Sequence, residues 1–210
     1  MAKASKLAKL HEEAAKRSGK RADKKRELAR HTISTLGQLG YARTSLRDIA
    51  EQSGVSVGVL HYYFQDKFDL ISYCVQVYKE EFIAELDAAM IRGAVSGKVI
   101  DEFINGLVAA IKHDAPTHTL WYDISAQALF DEAFRPIVAD IENALVGLVA
   151  RLLKRLKLDE ASALTVYLGC DGVFRHFLLR HLSGDKRALT GLRAALKELF
   201  AGLSAKLQLP

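Results

Sequence analysis

The spacing of apolar residues constrains the fold of this 210-residue chain more than any other feature. Apolar side chains recur every three or four positions through most of the sequence, and runs that alternate with polar residues are scarce. A repeat of three to four residues is typical of an amphipathic helix, whereas a half-buried strand repeats every two. We therefore predict an all-α protein, and because half of its residues are apolar we expect a substantial core.

The apolar repeat predicts a series of helices, and glycine, proline and N-cap residues indicate where each one begins or ends. Gly40 ends the first helix, Asp66 is a good N-cap for the fourth, and Pro116 and Pro136 lie where helix starts tolerate proline. Residues 91–98, with two glycines and a serine, interrupt the pattern and form our predicted domain boundary. The predicted helices span residues 26–39, 46–52, 57–63, 66–90, 99–113, 117–130, 134–156, 159–182 and 186–207.

The positive charge is concentrated at the N-terminus. The chain has a formal net charge of +5, but residues 1–30 hold eleven Lys and Arg against four Asp and Glu, a net of +7, which leaves −2 for the remainder. The basic N-terminal arm, residues 1–22, is either a solvated tail that favours solubility or an electrostatic arm for nucleic acid. Composition leaves both interpretations open.

Membrane, metal and cofactor sites are not indicated. No apolar run reaches the length of a membrane helix, and the N-terminus lacks the apolar centre of a signal peptide, so we expect a cytoplasmic protein. Cys74 and Cys170 fall within apolar helical patterns and are predicted to be buried, reduced thiols. Histidine pairs are spaced by five residues, which does not place two ligands on one helical face, so we predict no metal and no cofactor.

Residues 44–64 predict two short helices that meet at Gly54. Ile49, Leu60 and Phe64 can share one small core, and Gly54 suits a turn with a positive φ. That is the arrangement of a helix-turn-helix. Ser56 would cap the second helix, which leaves its first residues exposed to base edges and the following aromatic residues to the sugar-phosphate backbone. The alternative is an ordinary core, where aromatic residues at helical spacing are common.

The stretch "TSLRDIAEQSGVSVGVLHYYFQDKFDLI" resembles the DNA-binding signature of the TetR/AcrR family of bacterial transcriptional regulators. The similarity rests on T-[ST]-x-x-x-I-A at residues 44–50, G-V-S at 54–56 and Y-F-x-x-K-x-x-L at 63–70. It implies a helix-turn-helix DNA-binding domain (23–70), a connecting helix and linker (71–98) and a helical ligand-binding and dimerisation domain (99–210). It also implies a homodimeric repressor that leaves a palindromic DNA operator when a small molecule binds.

By position, the resemblance also assigns DNA contacts. Thr44 and Ser45 would cap the second helix and touch phosphate, and Arg47 would reach a base or a phosphate. Many family members have tyrosine where this chain has His61, so we expect a weaker or pH-sensitive backbone contact there. The valines favour apolar contact with thymine methyl groups over bidentate hydrogen bonds. The assigned residues are Thr44, Ser45, Arg47, Val57, Gly58, Val59, His61, Tyr62, Tyr63 and Lys67.

The C-terminal half carries a weaker resemblance. Its stretches "LWYDISAQALFDEAFRPIV" and "YLGCDGVFRHFLL" look like helices of the subgroup that includes the betaine-responsive repressors. Residues 159–182 are apolar nearly all round and contain Gly169 and Gly172, so we predict close helix contact and a dimer interface through the last two helices. Aromatic and polar residues on otherwise apolar helices are our predicted binding site for an apolar or amphipathic ligand; the alternative is that they are ordinary core residues. They are Phe103, Trp121, Tyr122, Gln127, Phe130, Asp171 and His176.

Two other kinds of function are alternatives for this sequence. Asp171, Arg175 and His176 could form a catalytic cluster, but the sequence has no nucleophile elbow, Gly-rich phosphate loop or paired metal-carboxylate motif, so we predict that the chain is not an enzyme. A helix-turn-helix protein without small-molecule control, architectural or division-associated, stays open. Activation in place of repression also stays open, because it depends on where the operator lies.

Overall fold

The structure is a computed structural model that describes residues 2–42 and 44–206. All regular elements in these two ranges are helices, which confirms the predicted all-α class. No helix in this part of the chain is both long enough and apolar enough to span a bilayer. The α-helices are α1 (Ala2–Leu39), α2 (Leu46–Ser53), α3 (Val57–Tyr63), α4 (Lys67–Ser96), α5 (Val99–Gln127), α6 (Arg135–Arg155), α7 (Ala163–Leu182) and α8 (Ala188–Lys206), with 3-10 turns at Glu132–Phe134 and Glu160–Ser162.

The chain divides into two compact units, residues 1–77 and 78–210, and the division falls inside α4. In the first unit α1 begins at Ala2, well before the predicted residue 26, so the basic arm is helical. This agrees with its many Ala, Lys, Arg and Glu residues, which are strong helix formers. The small core contains Leu36, Ile49, Leu60 and Phe64, each at most 1 % exposed.

The helix end predicted after residue 90 is wrong. α4 continues through residues 91–96 and ends at Ser96, and the next residue, Gly97, has a φ of +71° that favours glycine. Gly93 is buried, and a Cβ there would lie 2.6 Å from the Cα of Val99. The two glycines therefore allow a tight turn in which the end of α4 approaches the start of α5, and they do not form a separate linker.

The second unit is built from the end of α4 and from α5 to α8. Residues 99–127 are two helical segments joined at a kink, as predicted: the backbone leaves the helical conformation at Asp114, with φ −145° and ψ 33°, two residues before Pro116. The Thr117 hydroxyl donates to the Asp114 carboxylate over 2.6 Å, which links the two sides of the kink. The helix ends at Gln127, three residues earlier than predicted.

Helices α7 and α8 pack closely, but only one of the two glycines noted in α7 takes part. A Cβ on Gly169 would lie 3.3 Å from the Leu199 side chain of α8, whereas a Cβ on Gly172 would meet no atom within 4 Å. The tightest approach is at Gly191 of α8, where a Cβ would lie 2.3 Å from the Phe177 ring. Close contact within the chain therefore explains Gly169 and not Gly172.

Candidate functional site

Helices α2 and α3 form a helix-turn-helix whose ends are fixed by local hydrogen bonds. The Ser45 hydroxyl accepts from the Asp48 backbone N–H at 3.2 Å, and the Asp48 carboxylate accepts from the Ser45 N–H at 2.8 Å, which is a capping box. Hydrogen bonds from Ser45 also lower the pKa of Asp48. Gly54 ends α2 with φ +65°, and the Ser56 hydroxyl caps α3 by accepting from the Val59 N–H.

The face of α3 away from the small core is exposed. Gly58, Val59, His61 and Tyr62 are all exposed, with Tyr62 at 66 %, while Val57 and Tyr63 are half-buried. Phe64 is the aromatic residue of this cluster that fills the core, at 1 % exposure. The surplus of aromatic residues is therefore divided between a core position and an open surface.

A shallow depression gathers several of the predicted DNA contacts. Its lining includes Ser45, Arg47, Val57, His61 and Lys67, from α2, α3 and the start of α4. Arg47 is exposed at its edge. A cationic side chain and a capped helix start that border one depression suit a phosphate.

Thr44 and Lys67 have internal partners that the sequence did not reveal. Thr44 is 6 % exposed and its hydroxyl donates to the Gly40 and Tyr41 carbonyls, so Ser45 caps α2 and Thr44 instead closes the preceding turn. The Lys67 ammonium donates to the Tyr41 carbonyl at 3.0 Å and lies 4.1 Å from the centre of the Tyr41 ring. An ammonium has three N–H donors, so Lys67 keeps donors for a phosphate.

Helix α1 adds basic side chains that the sequence analysis did not assign. The Arg21 guanidinium lies 5.5 Å from the centre of the Tyr62 ring, and the Lys25 ammonium lies 4.7 Å from that of Phe64. Both line an open groove of about 620 Å³ with Tyr62 and Tyr63. The signal was their spacing of four residues, which places both on one face of a helix.

The second unit contains a narrow interior cavity of about 50 Å³. Its polar lining comes from α4, α5 and α7, and its apolar lining comes from α4 to α7. The polar residues are Lys79, His118, Tyr122, Tyr167 and Asp171, and the others are Phe82, Leu86, Phe103, Leu107, Leu145, Leu148, Val149, Cys170 and Phe174.

Lys79 is a buried cation in the wall of this cavity, with 5 % of its surface exposed. Its ammonium lies over three aromatic rings, 4.6 Å from the centre of Trp121, 5.2 Å from Phe82 and 5.3 Å from Tyr78. Burial lowers the pKa of Lys79 to about 7, and the nearby charge of Asp171 partly opposes that shift.

The other titratable residues around the cavity have shifted pKa values. Burial raises the pKa of Asp171, while a hydrogen bond from the Tyr122 hydroxyl at 3.0 Å and the charges of Lys79 and Arg175 oppose the rise. His118 is hydrogen-bonded to the Tyr78 hydroxyl, and burial together with the charge of Lys79 lowers the pKa of His118 to about 3. His118 is therefore neutral at physiological pH.

The structure brings some of the predicted ligand residues together and separates others. Phe103, Tyr122 and Asp171 line the cavity, and Trp121 lies against Lys79. Three do not line it: Gln127 bonds Asp123, Phe130 is 86 % exposed, and His176 is exposed beside Phe177. The sequence analysis did not predict Lys79 and His118 as site residues. For Lys79 a signal was present: it lies four positions after Val75 and three before Phe82, on the buried face of α4.

Metal and thiol chemistry have no support in the described residues. Within these ranges no cluster of three or more His, Cys, Asp or Glu side chains is arranged to hold a metal ion. Cys74 and Cys170 are buried free thiols, and burial raises the pKa of each to about 12. Neither is a reactive thiolate at neutral pH.

Comparison with known proteins agrees with this arrangement. Residues 30–74 match the model of the bacterial regulatory proteins, tetR family. The chain is 21 % identical over 162 residues to the HTH-type transcriptional regulator PksA of Bacillus subtilis (strain 168), covering 74 % of this chain and 79 % of PksA.

Solved structures share the fold. A transcriptional regulator of Pseudomonas aeruginosa PAO1 is 18 % identical with a TM-score of 0.69, covering 88 % of this chain and 91 % of that one. The multidrug binding protein EbrR, solved with imidazole, is 23 % identical with a TM-score of 0.59, covering 83 % and 93 %. These relatives are transcriptional regulators or ligand-binding proteins, and none of them is described as an enzyme.

Proposed function

This chain belongs to the TetR family of DNA-binding transcriptional regulators, and we propose that it is a homodimeric repressor released from a palindromic operator by a small molecule. The observation that carries the proposal is the combination of two sites in one chain. An exposed helix-turn-helix surface lies in the first unit, and a cavity with a buried cation lies in the second. Such a regulator acts in the cytoplasm, where the operator DNA is.

DNA recognition is assigned to α3 and its neighbours. The start of α3, where Gly58 and Val59 are exposed and Val57 is half-buried, enters the major groove and makes apolar contact with thymine methyl groups. Arg47 and Lys67 pair with phosphates beside it, and Tyr62 packs on the sugar-phosphate backbone. Support comes from the exposure of this face and from the depression that Arg47, Val57 and Lys67 share.

Dimerisation is assigned to an exposed apolar stripe on α7, formed by Leu164, Leu168, Leu179 and Leu182. These leucines are between 45 and 56 % exposed. With Gly172 among them, successive members are four, four, seven and three residues apart, which places all of them on one helical face. Arg175 is exposed on the same face and interrupts the stripe, but four exposed leucines on one face are still costly in a monomer, and Gly172, which has no side chain, lets a second helix approach. The stripe is therefore covered by the same stripe of a second copy.

The volume of the cavity suggests how a ligand acts as a switch. At about 50 Å³ it is far smaller than the roughly 300–1,000 Å³ of ordinary ligand pockets. A ligand must therefore enlarge it and stabilise a different packing of α4, α5 and α7. Helix α4 contributes Lys67 to the DNA-binding surface and Lys79 to the cavity, so a change in α4 affects both. A ligand that favours the DNA-incompetent state supplies about 1–3 kcal/mol of coupling in typical regulators.

Substitution of the proposed DNA contacts tests the recognition surface. Arg47→Ala and Tyr62→Ala should each weaken operator binding by about 1–3 kcal/mol, because each removes a direct contact. Fluorescence anisotropy with labelled operator DNA measures the loss, and circular dichroism checks that the fold is unchanged. Arg92→Ala, which removes an exposed arginine from the second unit, is the matched control. Wild-type affinity in both variants would exclude this surface.

A regulator without small-molecule control is the second candidate, and the small volume of the cavity is the observation that favours it. Trp121 lies beside the cavity and is the single tryptophan, so its fluorescence reports on ligand entry. Compounds that quench Trp121 are then added to an operator titration. If they leave operator affinity unchanged, control by a ligand is excluded and the constitutive DNA binder takes its place.

A further inference from the structure

The buried Lys79 lacks an anionic partner in the described part of the chain. Within residues 16–203 no carboxylate oxygen lies within 4.0 Å of its ammonium, although 95 % of the residue is buried. Its close neighbours are the rings of Tyr78, Phe82 and Trp121. Aromatic faces attract a cation but accept no strong hydrogen bond, so the three N–H donors of the ammonium remain poorly satisfied.

Asp171, the acidic residue of the same cavity, differs from Lys79 because it has both a hydrogen-bond donor and a cation close to its carboxylate. Its carboxylate accepts a hydrogen bond from Tyr122 at 3.0 Å, and Arg175 lies nearby, 5.7 Å from the centre of the Tyr122 ring. Burying a charge is costly unless it is paired and hydrogen-bonded. The site therefore gains more from an added anion at Lys79 than from an added cation at Asp171.

We propose that the effector is an amphipathic acid, whose carboxylate or phenolate oxygen pairs with the Lys79 ammonium while its apolar part packs against Phe82, Leu107, Leu148 and Phe174. This inference rests on the proposed function, in which the cavity is the effector site. The apolar lining comes from α4, α5, α6 and α7, so the ligand touches every helix that surrounds the cavity. The acid supplies the acceptor that Lys79 lacks, and the remaining lining fits hydrocarbon.

Binding of an acid has a distinctive pH dependence. An anion pairs with the protonated lysine, and the pKa of free Lys79 is about 7, so apparent affinity should fall about tenfold between pH 6 and pH 8. His118, with a pKa of about 3, and the tyrosine and cysteine side chains, with raised pKa values, keep their charge in that interval, as does arginine. The titratable groups that line the cavity with Lys79 are His118, Tyr122, Tyr167, Cys170 and Asp171; the Tyr78 ring lies beside the Lys79 ammonium, and Arg175 lies over the Tyr122 ring.

The experiment compares probes that share a skeleton and differ in charge. Hexanoate, octanoate and phenylacetate are titrated into the full-length protein without DNA, beside the amides and amines of the same skeletons. Binding is followed by Trp121 fluorescence and calorimetry. We expect at least one carboxylate to bind about tenfold or more tightly than its amide and amine, with affinity falling from pH 6 to pH 8.

Three variants assign the effect to its residue. Lys79→Met removes the cation in an apolar side chain of similar length, and should abolish the preference for the acid while amide binding remains. Asp171→Asn removes the negative charge that competes with the acid, but it also lowers the pKa of Lys79 further, so it is tested at pH 6, where the variant should still bind the acid more tightly than its amide. Lys154→Met, at an exposed lysine of α6, is the control and should leave every affinity unchanged.

Other results would either overturn the proposal of an acidic ligand or show that such a ligand binds without releasing DNA. Tighter binding of the amines, lost in Asp171→Asn, would mean that the site takes a cation. No carboxylate preference, or no binding by any carboxylate, would also overturn it. Acid binding through Lys79 that leaves operator affinity unchanged would keep the ligand class and refute release of DNA by the ligand.

Discussion

Replacing Lys79 by methionine should stabilise the protein, most strongly in acid. Burial lowers the pKa of Lys79 from 10.5 to about 7, and each unit of pKa difference between the folded and unfolded states corresponds to about 1.4 kcal/mol. The folded state thus binds fewer protons than the unfolded chain, and stability rises with pH between about 7 and 10.5. The penalty for the native lysine is about 5 kcal/mol below pH 7 and falls to about 2 kcal/mol at pH 9.

Urea unfolding followed by Trp121 fluorescence measures this effect in the second unit. Wild type and Lys79→Met are unfolded at pH 6 and pH 9 at one protein concentration, because oligomerisation makes apparent stability concentration-dependent. The free-energy difference between the two proteins should shrink by about 2–3 kcal/mol from pH 6 to pH 9. Titration of His118, and of other groups common to both proteins, largely cancels in this difference.

The control variant Lys154→Met shows how much stability changes when an exposed lysine is lost, so that the effect of burial at Lys79 can be distinguished from it. Lys154 is exposed, so its replacement should change stability by less than about 0.5 kcal/mol at either pH. If the Lys79→Met difference were the same at pH 6 and pH 9, the lysine would not be desolvated in the folded protein. The argument for an acidic ligand would then lose its basis as well.

Four further predictions concern the fold and its assembly. Ser45→Ala should destabilise the first unit by about 1 kcal/mol in urea unfolding, because the capping box of α2 is lost; an unchanged midpoint would mean that the cap contributes nothing. Gly93→Ala should cost about 1–3 kcal/mol, since its Cβ would lie 2.6 Å from backbone, whereas Gly202→Ala, whose Cβ would meet no atom within 4 Å, should not destabilise the protein; equal effects on the unfolding free energy would contradict this. Leu168→Glu should convert a dimer into monomers in light scattering, and a wild-type monomer at micromolar concentration would refute the α7 interface. Deleting residues 2–20 should flatten the plot of log affinity against log salt for any DNA, and an unchanged slope would mean that the basic arm only aids solubility.

The sequence determined the helical class and the helix-turn-helix, because the signals for both are local. The repeat of three and four specifies helices, while Gly54 and the serine caps act within a few residues of their own positions. Helix α3 was therefore predicted with its observed bounds, Val57–Tyr63. The exposed Arg47 and Tyr62 were also named from sequence, and their DNA contacts stay predictions.

Which helix faces are covered depends on contacts between segments that are far apart in the sequence. Lys79 is buried because Trp121 lies over it and the Asp171 helix closes the same cavity, and both are more than forty residues away in sequence. Phe130 is exposed although it directly follows the apolar helix α5, and His176 is exposed although it lies in the largely apolar α7. A helical repeat tells which residues share a face, but the partner of that face depends on packing between distant segments, and that packing sets the burial and the pKa of each charged group.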